Sequence, residues 1–491
     1  MRVAVVGAGP AGMTAALQLA RGGANVSVFE ASEFVGGMAR SLDIWGQRVD
    51  LGPHRFLSTD ARVNRFWLDV VGDQYEMVDR RTRILFNGQS FQYPLKPLEV
   101  ARKLGPATTL SCLFSYARQH LQPRVDEEPS FESWVVERFG RRLFESFFQS
   151  YSEKLWGIPC SELSADFAAQ RIKQYSLPEA VRSMLSSRKA ANHRTLVDRF
   201  AYPIAGTGSV YDAMADQLRH LGGELRLKTP VQRVVTQDKR VVGVELSDET
   251  VLSYDHVISS LPLTLLVQGM TDTPEPVLQA SRSLHFRNTI VTYLRIATSS
   301  LFDDQWVYLH SPDVPTGRVT NFRNWVPQLF GTSSETILAA ERWCDQDDAT
   351  WNLSDSTIVD QTVEDLRRVA LLRDEYVVDS KVVRVSRCYP VYRRSYRQHL
   401  DRVISHLRSY RGLVPIGRYG AFKYNNQDHS ILMGLLASEN VLNDANHDLW
   451  SINCDFDAYQ ERAIITDHGR LVCPTHLNVV PRHAAIVPSV G

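Results

Sequence analysis

The sequence predicts an α/β protein built on a discontinuous Rossmann-like dinucleotide-binding domain, with a second domain of mixed sheet and a helical insertion. Three patterns predict this class. A strand, a glycine turn, a helix and a second strand follow one another over residues 2–30. Helical periodicity dominates residues 95–190, and short strands alternate with one helix over residues 282–385. At 491 residues the chain is too long for one ordinary core, so we expect more than one domain.

A complete phosphate-binding βαβ unit opens the chain. Arg2 to Val6 is a β-branched strand pattern, and the glycine turn GAGPAG follows it at once. A helical pattern comes next, and a second strand, Asn25 to Phe29, ends on the acid Glu30. Strand, turn, helix, strand and acid stand in register, so the stretch predicts a bound dinucleotide far more strongly than a lone glycine motif would.

Each part of this unit has a physical task. Gly7 allows the tight turn, Gly9 lets the backbone approach a pyrophosphate, and Gly12 lets the helix pack closely on the strand. The helix N-terminus points unpaired N–H groups and a partial positive charge at the phosphates. An acid at the strand tip accepts hydrogen bonds from ribose hydroxyls and disfavours a ribose phosphate. The predicted dinucleotide contacts here are Gly7, Gly9, Pro10, Ala11, Gly12 and Glu30.

Composition argues against several other classes of protein. Lys plus Arg equals Asp plus Glu at 55 each, so no nucleic-acid-binding surface is indicated. The six cysteines lack metal-ligand spacing, which predicts no metal site and favours buried thiols in a reducing, cytoplasmic compartment. The first strand begins at Arg2, and no run of about 18 apolar residues occurs. Neither a signal peptide nor a transmembrane segment is therefore predicted.

Two more turns with polar side chains follow the opening unit. The pair Gly36-Gly37 would let the backbone approach the phosphate side of a ligand while Arg40 meets its charge. A plain loop with an exposed arginine is the alternative. Further along, Gly52-Pro53-His54-Arg55 reads as a turn that carries a histidine. Taken alone, such a histidine is more often structural than functional.

The helical region carries the segment YSEKLW, which ends at Trp156. A glycine and then Pro159 follow this tryptophan, which predicts an aromatic side chain on a loop. Core packing is the alternative, because aromatic side chains are usually buried for their area. Arg171 lies on a predicted helix that begins near Ser164.

These patterns divide the chain into six segments. A strand and helix late in the chain complete the first domain, which is therefore discontinuous in sequence. The predicted dinucleotide-binding segments are 1–94, 196–265 and 406–450. The remaining segments are the helical insertion, 95–195, the largely antiparallel second domain, 266–405, and a C-terminal helix and tail, 451–491.

The glycine motifs together resemble the FAD-dependent superfamily of amine oxidases, protoporphyrinogen oxidases and UDP-galactopyranose mutases, so the resemblance implies FAD as the cofactor. The sequence is most similar to the mutase-like and protoporphyrinogen-oxidase-like members. The turn at His54 resembles the mutases' flavin-side histidine loop, and YSEKLW resembles their Tyr…Lys-x-Trp segment. The stretch from Gly417 to Ser430 is similar to their carboxy-terminal flavin and substrate motif. The resemblance covers most of residues 1–442.

The resemblance implies further site residues. The implied FAD contacts beyond the opening turn are Gly36, Gly37, Met38, Arg40, Gly52, Pro53, His54, Arg55, Val231, Gly417, Arg418, Asn426, Gln427, Asp428 and Ser430. The implied substrate contacts are Trp156, Arg171, Arg318, Tyr392, Arg418, Tyr424 and Asn426. The implied catalytic residues are His54, Arg318, Arg418 and Tyr424.

The chain shows no metal cluster, nucleophile elbow or paired-carboxylate pattern, so its chemistry is expected to be that of the cofactor. In a mutase, N5 of the reduced flavin attacks the anomeric carbon of a nucleotide sugar, and guanidinium groups hold the displaced diphosphate. The resemblance assigns that task to Arg171, Arg318 and Arg418, with Trp156 as a stacking wall. NAD(P)H is a candidate reductant.

Two other functions stay open. In an oxidase the flavin accepts a hydride from a C–H or C–N centre, and the pocket should be more apolar or caged by aromatic rings. A flavin-free escort of prenylated GTPases is disfavoured by the intact glycines and by Glu30. The sequence also departs from the bacterial mutases, whose second arginine after Arg171 is here Tyr175, and NGQSFQYPLKP resembles protoporphyrinogen-oxidase-like proteins. We predict a mutase acting on a small nucleotide sugar, and homo-oligomerisation is left open.

Overall fold

The structure, a computed structural model, describes residues 1–93, 95–121, 128–167, 199–453, 464–465 and 471–472. Within these residues the chain forms two large sheets with helices packed around them, so the predicted α/β class is confirmed. Arg171 and Tyr175 lie outside the described residues.

The strands have the following bounds in chain order. They are β1 (Arg2–Val6), β2 (Asn25–Phe29), β3 (Ser41–Ile44), β4 (Gln47–Asp50), β5 (Tyr75–Asp79), β6 (Thr82–Phe86), β7 (Gln89–Gln92), β8 (Arg199–Pro203), β9 (Glu224–Arg226), β10 (Val231–Gln237), β11 (Arg240–Leu246), β12 (Val251–Ser253), β13 (His256–Ser259), β14 (His285–Ile296), β15 (Trp306–Leu309), β16 (Arg318–Asn321), β17 (Thr336–Cys344), β18 (Val377–Val391), β19 (Leu413–Pro415), β20 (Ile464–Ile465) and β21 (Leu471–Val472).

The helices are numbered in the same way. They are α1 (Pro10–Arg21), α2 (Ala61–Val71), α3 (Pro97–His120), α4 (Phe131–Phe139), α5 (Arg141–Phe144), α6 (Ser150–Trp156), α7 (Gly208–His220), α8 (Leu263–Gly269), α9 (Glu275–Arg282), α10 (Asp355–Arg368), α11 (Tyr396–Arg408), α12 (Gly417–Gly420) and α13 (Gln427–Asn443). None of these helices is long and apolar enough to cross a membrane.

The first large sheet is parallel and has the strand order β19-β13-β1-β2-β9. Its central strand, β1, is an unbroken apolar run and is buried from Val3 onward, as expected for a sheet covered on both faces. Helix α1 packs against α13, and a Cβ atom on Gly434 would lie 2.5 Å from the carbonyl oxygen of Ala11. The missing side chain therefore lets the late helix touch the backbone of the first one, which joins the two ends of the domain.

The second large sheet has the order β18-β14-β17-β16-β15-β6-β7 and is antiparallel except between β15 and β6. Strands β6 and β7 come from the segment 1–94, which the sequence assigned wholly to the dinucleotide-binding domain. The sheet boundary therefore does not coincide with the predicted one. A short strand pattern such as TRILF does not specify which sheet it joins, because its partner β15 lies more than 200 residues away.

The helical region runs from α3 to α6 in the described residues. Helix α3 bends at Gly105, which has a φ of +80° and precedes Pro106, so the proline begins a new helical segment. Helix α4 begins at a capping box in which Ser130 and Ser133 each accept a backbone hydrogen bond from the other. A π-helical turn, Glu145–Gln149, leads into α6.

Asp50, at the end of β4, links the small strand pairs β3–β4 and β5–β8 to the second large sheet. Its buried carboxylate accepts hydrogen bonds from Ser41 Oγ (2.5 Å), Tyr202 Oη (2.7 Å) and the Thr207 amide (3.1 Å). Its carbonyl oxygen accepts one from Tyr293 Oη of the second sheet (2.9 Å). Burial raises the pKa of Asp50 to about 6, although these hydrogen bonds oppose the shift. The carboxylate therefore fixes the chain immediately before the turn that carries the predicted histidine.

We expect Asp50→Asn to flatten the pH dependence of stability between about pH 4 and pH 7. A carboxyl group whose pKa is raised in the folded state contributes stability that is complete below its unfolded pKa and is lost as the pH rises through about 6. That loss is on the order of 3 kcal/mol at most. The measurement is the Tm of wild type and variant across this range, with exposed Asp374→Asn as the control. Parallel profiles for wild type and Asp50→Asn would contradict the prediction.

Candidate active site

The glycine turn after β1 has the geometry that its sequence predicts. Gly7 has a φ of +95°, and a Cβ atom on it would lie 2.1 Å from Ser260 Oγ. A Cβ atom on Gly12 would lie 2.0 Å from the carbonyl oxygen of Gly7. By contrast, the nearest atom to such a Cβ on Gly9 is Cα of Gly37, at 3.9 Å. Gly7 and Gly12 are thus required by close packing, whereas Gly9 borders open space in which a phosphate group can approach the backbone.

Glu30 holds the glycine turn in shape. Its carboxylate accepts hydrogen bonds from the amides of Ala8 (2.8 Å) and Ser32 (2.9 Å). A carboxylate has about four acceptor positions, so two remain for ribose hydroxyls. Val231, a predicted FAD contact, begins β10 close to this strand tip, since the amide of Thr229 donates to the Glu30 carbonyl (2.8 Å).

The second glycine pair packs directly on the first turn. The Gly36 amide donates to the carbonyl of Ala8 (2.8 Å), and a Cβ atom on Gly37 would lie 3.1 Å from Cα of Gly9. Both residues of the pair have positive φ, at 92° and 53°. Nε of Arg40, just beyond them, is enclosed and has no hydrogen-bond partner among the described residues. The two predicted phosphate-binding turns therefore form one surface.

The predicted histidine loop lies against the second sheet. The carbonyl of His54 accepts hydrogen bonds from Thr207 Oγ1 (2.7 Å) and Gln427 Nε2 (3.4 Å). Its Nδ1 is enclosed and has no partner within the described part of the chain. Burial, together with the nearby guanidinium groups of Arg318 and Arg418, lowers the pKa of His54 to about 3. The imidazole is therefore neutral at physiological pH, and its backbone is held on two sides.

The late Gly417-Arg418 turn reaches the same place from the other end of the chain. Gly417 has a φ of +80°, and a Cβ atom on it would lie 3.1 Å from Cβ of Ala11 in the opening turn. The guanidinium carbon of Arg418 lies 4.7 Å from the ring centre of Tyr389 and 4.4 Å from that of Tyr424. Those two rings are stacked with their centres 5.6 Å apart. Arg418 is therefore held by cation–π contacts at the edge of the predicted flavin site.

Arg418 keeps donors for a ligand. Its Nε and Nη2 are enclosed and find no hydrogen-bond partner among the residues that the structure describes. A buried N–H group without a partner costs free energy, more so when it belongs to a cation. An anionic or carbonyl oxygen placed there would remove this cost.

Arg318, by contrast, already has a strong partner. Its Nε and Nη2 donate to the two carboxylate oxygens of Glu341 at 2.7 and 2.5 Å, in a two-pronged ion pair. The side chains of Arg318 and Glu341 are only 16% and 3% exposed. Burial alone would lower the pKa of Arg318, but Glu341 raises it well above its usual range. The sequence predicts Arg318 as a free cation for a diphosphate, whereas in the structure its charge is already neutralised.

The YSEKLW segment lies in helix α6, which packs against the chain that carries Arg318. Tyr151 stacks on His310, with ring centres 4.6 Å apart. Lys154 Nζ donates to the carbonyls of Leu309 (2.8 Å) and Ser311 (3.1 Å), and burial lowers the pKa of its ammonium to about 8. The lysine therefore fixes the chain that leads into β16, where Arg318 stands.

The predicted loop position of Trp156 is wrong. It is the last residue of α6, and Gly157 with a φ of +67° ends that helix. The indole is 1% exposed and meets the ring of Tyr424 edge-on at 5.7 Å. Trp156 thus packs behind the stacked rings of Tyr389 and Tyr424 and does not form the outer surface of this aromatic cluster. Tyr392, a predicted substrate contact, also acts from behind, because its hydroxyl accepts a hydrogen bond from the Tyr424 amide (2.7 Å).

The remaining predicted contacts lie at the start of α13. Asn426 is exposed and is the N-cap residue of that helix. Gln427 accepts a hydrogen bond from Tyr211 Oη (2.7 Å) and donates to the carbonyls of the histidine loop, including that of Arg55 (3.4 Å). Asp428 and Ser430 are buried. The helix N-terminus therefore lies against the histidine loop, which suits a polar, electron-rich ligand.

Sequence reasoning missed two residues of this cluster, Glu341 and Tyr389. Glu341 and Arg342 interrupt an otherwise apolar strand, ILAAERWC, and a charged residue in such a strand is a signal for a buried pair. Tyr389 lies on β18, three residues before the predicted Tyr392, which follows the end of that strand. Period-two alternation alone does not decide which of the two faces the ligand.

The residues fit an FAD molecule. The paired glycine turns leave space for a pyrophosphate, and enclosed polar atoms without partners lie beyond them. These atoms, within the described residues, include Arg40 Nε, His54 Nδ1, Arg418 Nε and Nη2, and Tyr419 Oη. The described residues also contain no group of three or more His, Cys, Asp or Glu that could hold a metal ion. The four cysteines that the structure describes are free and buried.

Comparison with known proteins places the chain in a family. Residues 10–442 match the family of flavin-containing amine oxidoreductases. The chain belongs to this family. As a member of this family it is an FAD-dependent enzyme, and the predicted superfamily is confirmed.

Relatives of this flavoenzyme differ in their named activities. A solved structure of reduced UDP-galactopyranose mutase superposes with a TM-score of 0.81 at 22% identity, covering 92% of this chain and 96% of that one. At this identity the likeness concerns the fold alone. Coproporphyrinogen III oxidase of Staphylococcus aureus is 23% identical over 296 residues, which is 55% of this chain and 63% of that protein.

A second curated relative is described as a mutase. A protein of Klebsiella pneumoniae described as a probable UDP-galactopyranose mutase is 29% identical over 174 residues, which is 33% of this chain and 43% of that protein. The chain therefore matches less than two thirds of the length of either curated relative.

Proposed function

We propose that this flavoenzyme is a nucleotide-sugar pyranose/furanose mutase. The observation that carries the proposal is the pair of enclosed N–H donors of Arg418 that have no partner among the described residues and are held against Tyr389 and Tyr424 beside the histidine loop. Guanidinium donors in such a place suit a diphosphate, whose oxygens accept charge-assisted hydrogen bonds in a fixed geometry. The likeness to the Klebsiella protein supports the same substrate class.

The chain's own residues have separate tasks in this proposal. Reduced flavin supplies the nucleophile, N5, when it is bound. Arg418 holds the diphosphate close, so that it stays near the sugar after the bond to the anomeric carbon breaks. Because the ion pair of Arg318 with Glu341 is neutral overall, it shapes the pocket and adds little net charge. His54, with a pKa lowered to about 3, is not a proton donor at neutral pH and instead provides a fixed neutral neighbour for the flavin.

Oxidation is the second candidate, and a specific observation favours it. The neutralised Arg318 leaves fewer free cations than the sequence suggests, and aromatic rings pack around this part of the site. These rings are Tyr151, Trp156, Trp343, Tyr389 and Tyr424. An aromatic, apolar pocket suits a substrate that gives up a hydride. The likeness to coproporphyrinogen III oxidase points the same way.

The redox state that supports turnover decides between the two. We expect the chemically reduced protein to interconvert the pyranose and furanose forms of a UDP-hexose, measured by chromatography, because only reduced flavin is a nucleophile. The oxidised protein should be inactive in the same assay. Turnover only in the oxidised state, with release of hydrogen peroxide, would establish the oxidase and exclude the mutase.

A further inference from the structure

Helix α3 turns an apolar face outward after its bend at Gly105. Four large side chains of this part are exposed: Leu110 (66%), Leu113 (44%), Phe114 (71%) and Leu121 (86%). Their spacing of three, one and seven residues places them on one side of a helix with 3.6 residues per turn. Together with Pro106, Ala107 and Ala117 they span an arc of about 120°. We call this set the outer stripe of α3.

The opposite side of the same helix packs on the protein. Cys112 is 5% exposed, and a Cβ atom on Gly140 would lie 2.9 Å from the backbone nitrogen of Tyr116. The absence of a side chain at Gly140 therefore lets α3 lie close against the helices behind it. These contacts already hold α3 against the protein, so the side chains of the outer stripe are not needed to keep the helix in place. Contiguous apolar surface of this kind marks a site of interaction with a protein or a membrane.

The charges along α3 indicate whether the outer stripe meets a protein or a membrane. Exposed Arg102, Lys103 and Arg118 are cationic, and Lys96 precedes the first turn. The acid of the helix, Glu99, is paired with Lys103 at 2.6 Å. The whole chain has a net charge of zero, so this excess is local. Two copies of a basic face repel each other, whereas an apolar stripe with basic flanks complements an anionic lipid surface.

We propose that the outer stripe of α3 docks the protein on the surface of an anionic membrane. Leu110, Leu113, Phe114 and Leu121 enter the boundary between headgroups and acyl chains, and Arg118 beside them meets lipid phosphates. The helix lies in the plane of the interface and does not cross the bilayer, which agrees with its bend at Gly105 and its charged residues. This docking is independent of whether the enzyme is a mutase or an oxidase.

Co-sedimentation of the FAD-loaded full-length protein with vesicles tests the proposal. One set of vesicles is phosphatidylcholine alone, and the other is a roughly 7:3 mixture of phosphatidylcholine and phosphatidylglycerol. We expect binding to the anionic set only, weakened by salt. The double variant Leu110→Ser/Phe114→Ser should bind at least about tenfold more weakly, because it removes apolar area that enters the membrane. The control is Tyr376→Ser, which changes a side chain that is 72% exposed outside α3.

Every other outcome overturns the proposal. Wild-type protein that does not sediment with anionic vesicles would exclude it, as would a double variant that binds like the control. If light scattering shows a dimer that the double variant abolishes, and vesicles are not bound, the outer stripe is an interface with a second copy. If vesicles are not bound and the double variant has a lower Tm, the stripe is covered by another segment of the same chain.

Discussion

Replacing Arg418 by alanine is expected to weaken the binding of UDP to the FAD-loaded protein roughly ten- to hundredfold, because a lost charge-assisted hydrogen bond costs about 1.5–3 kcal/mol. The structure gives this arginine two enclosed donors, Nε and Nη2, that have no partner in the described part of the chain. It also fixes the guanidinium against Tyr389 and Tyr424, so little entropy is lost when a diphosphate binds. Equilibrium binding of UDP, measured by calorimetry, gives the affinity.

Two controls separate this effect from loss of the cofactor or of the fold. Arg418→Lys keeps the charge but loses the planar fork, so we expect an intermediate affinity. Arg408→Ala removes an exposed arginine from α11, whose side chain is 56% exposed, and should bind UDP like the wild type. The visible absorbance of each variant reports its flavin content. Unchanged UDP affinity in Arg418→Ala with full flavin content would contradict the prediction and would mean that Arg418 does not bind the diphosphate.

Replacing Glu341 by glutamine should produce the largest loss of stability that we expect from a single conservative change. The substitution leaves the guanidinium of Arg318 buried without a carboxylate, and breaking such a pair costs about 3–5 kcal/mol. Glu341 is 2% exposed, and a Cβ atom on Gly52 would lie 3.3 Å from its carboxylate. The histidine loop therefore rests on this acid, and we also expect weaker retention of FAD. Thermal unfolding with the flavin absorbance recorded in parallel measures both effects.

A double variant tells whether the pair serves stability or function. Replacing both charges by apolar residues of similar size, Arg318→Met with Glu341→Leu, removes the unpaired charge and should restore most of the Tm. If the pair shapes the substrate pocket, this stable protein remains inactive. If activity returns with stability, the pair is structural only. A Tm for Glu341→Gln close to that of the wild type would contradict the ion-pair geometry itself.

Local sequence patterns predicted much of the first domain correctly. Gly7 is required by its own backbone conformation, a φ of +95°, and Gly12 by a contact within the turn, since its missing Cβ atom would lie 2.0 Å from the carbonyl oxygen of Gly7. Strand β2 and helix α1 lie where their periodicity places them. The helix end at Trp156 was missed, although Gly157 in a left-handed conformation is a common helix stop. In each of these cases the deciding contacts are short-range, or the residue type alone implies them.

The candidate site depends on contacts that the sequence does not specify. Arg318 and Glu341 stand directly opposite each other on β16 and β17, in the register that the two strands adopt. A shift of one residue would turn the glutamate to the other face, and nothing in either strand taken alone fixes that register. The sequence predicted Arg318 as a free cation because its partner is visible only once the strands are paired.

The sequence by itself determined the flavin-dependent family and predicted which turns hold the dinucleotide, because the turn, the acid and the second glycine pair depend on the backbone geometry of adjacent residues. Tertiary structure alone decided which of the predicted cations still has donors to offer. The chain brings Arg418 beside His54 and Arg318, and it pairs Arg318 with Glu341 while it leaves the enclosed donors of Arg418 without a partner among the described residues. Whether a buried charge is neutralised depends on distances of a few ångströms between residues far apart in sequence, and only the folded chain sets those distances.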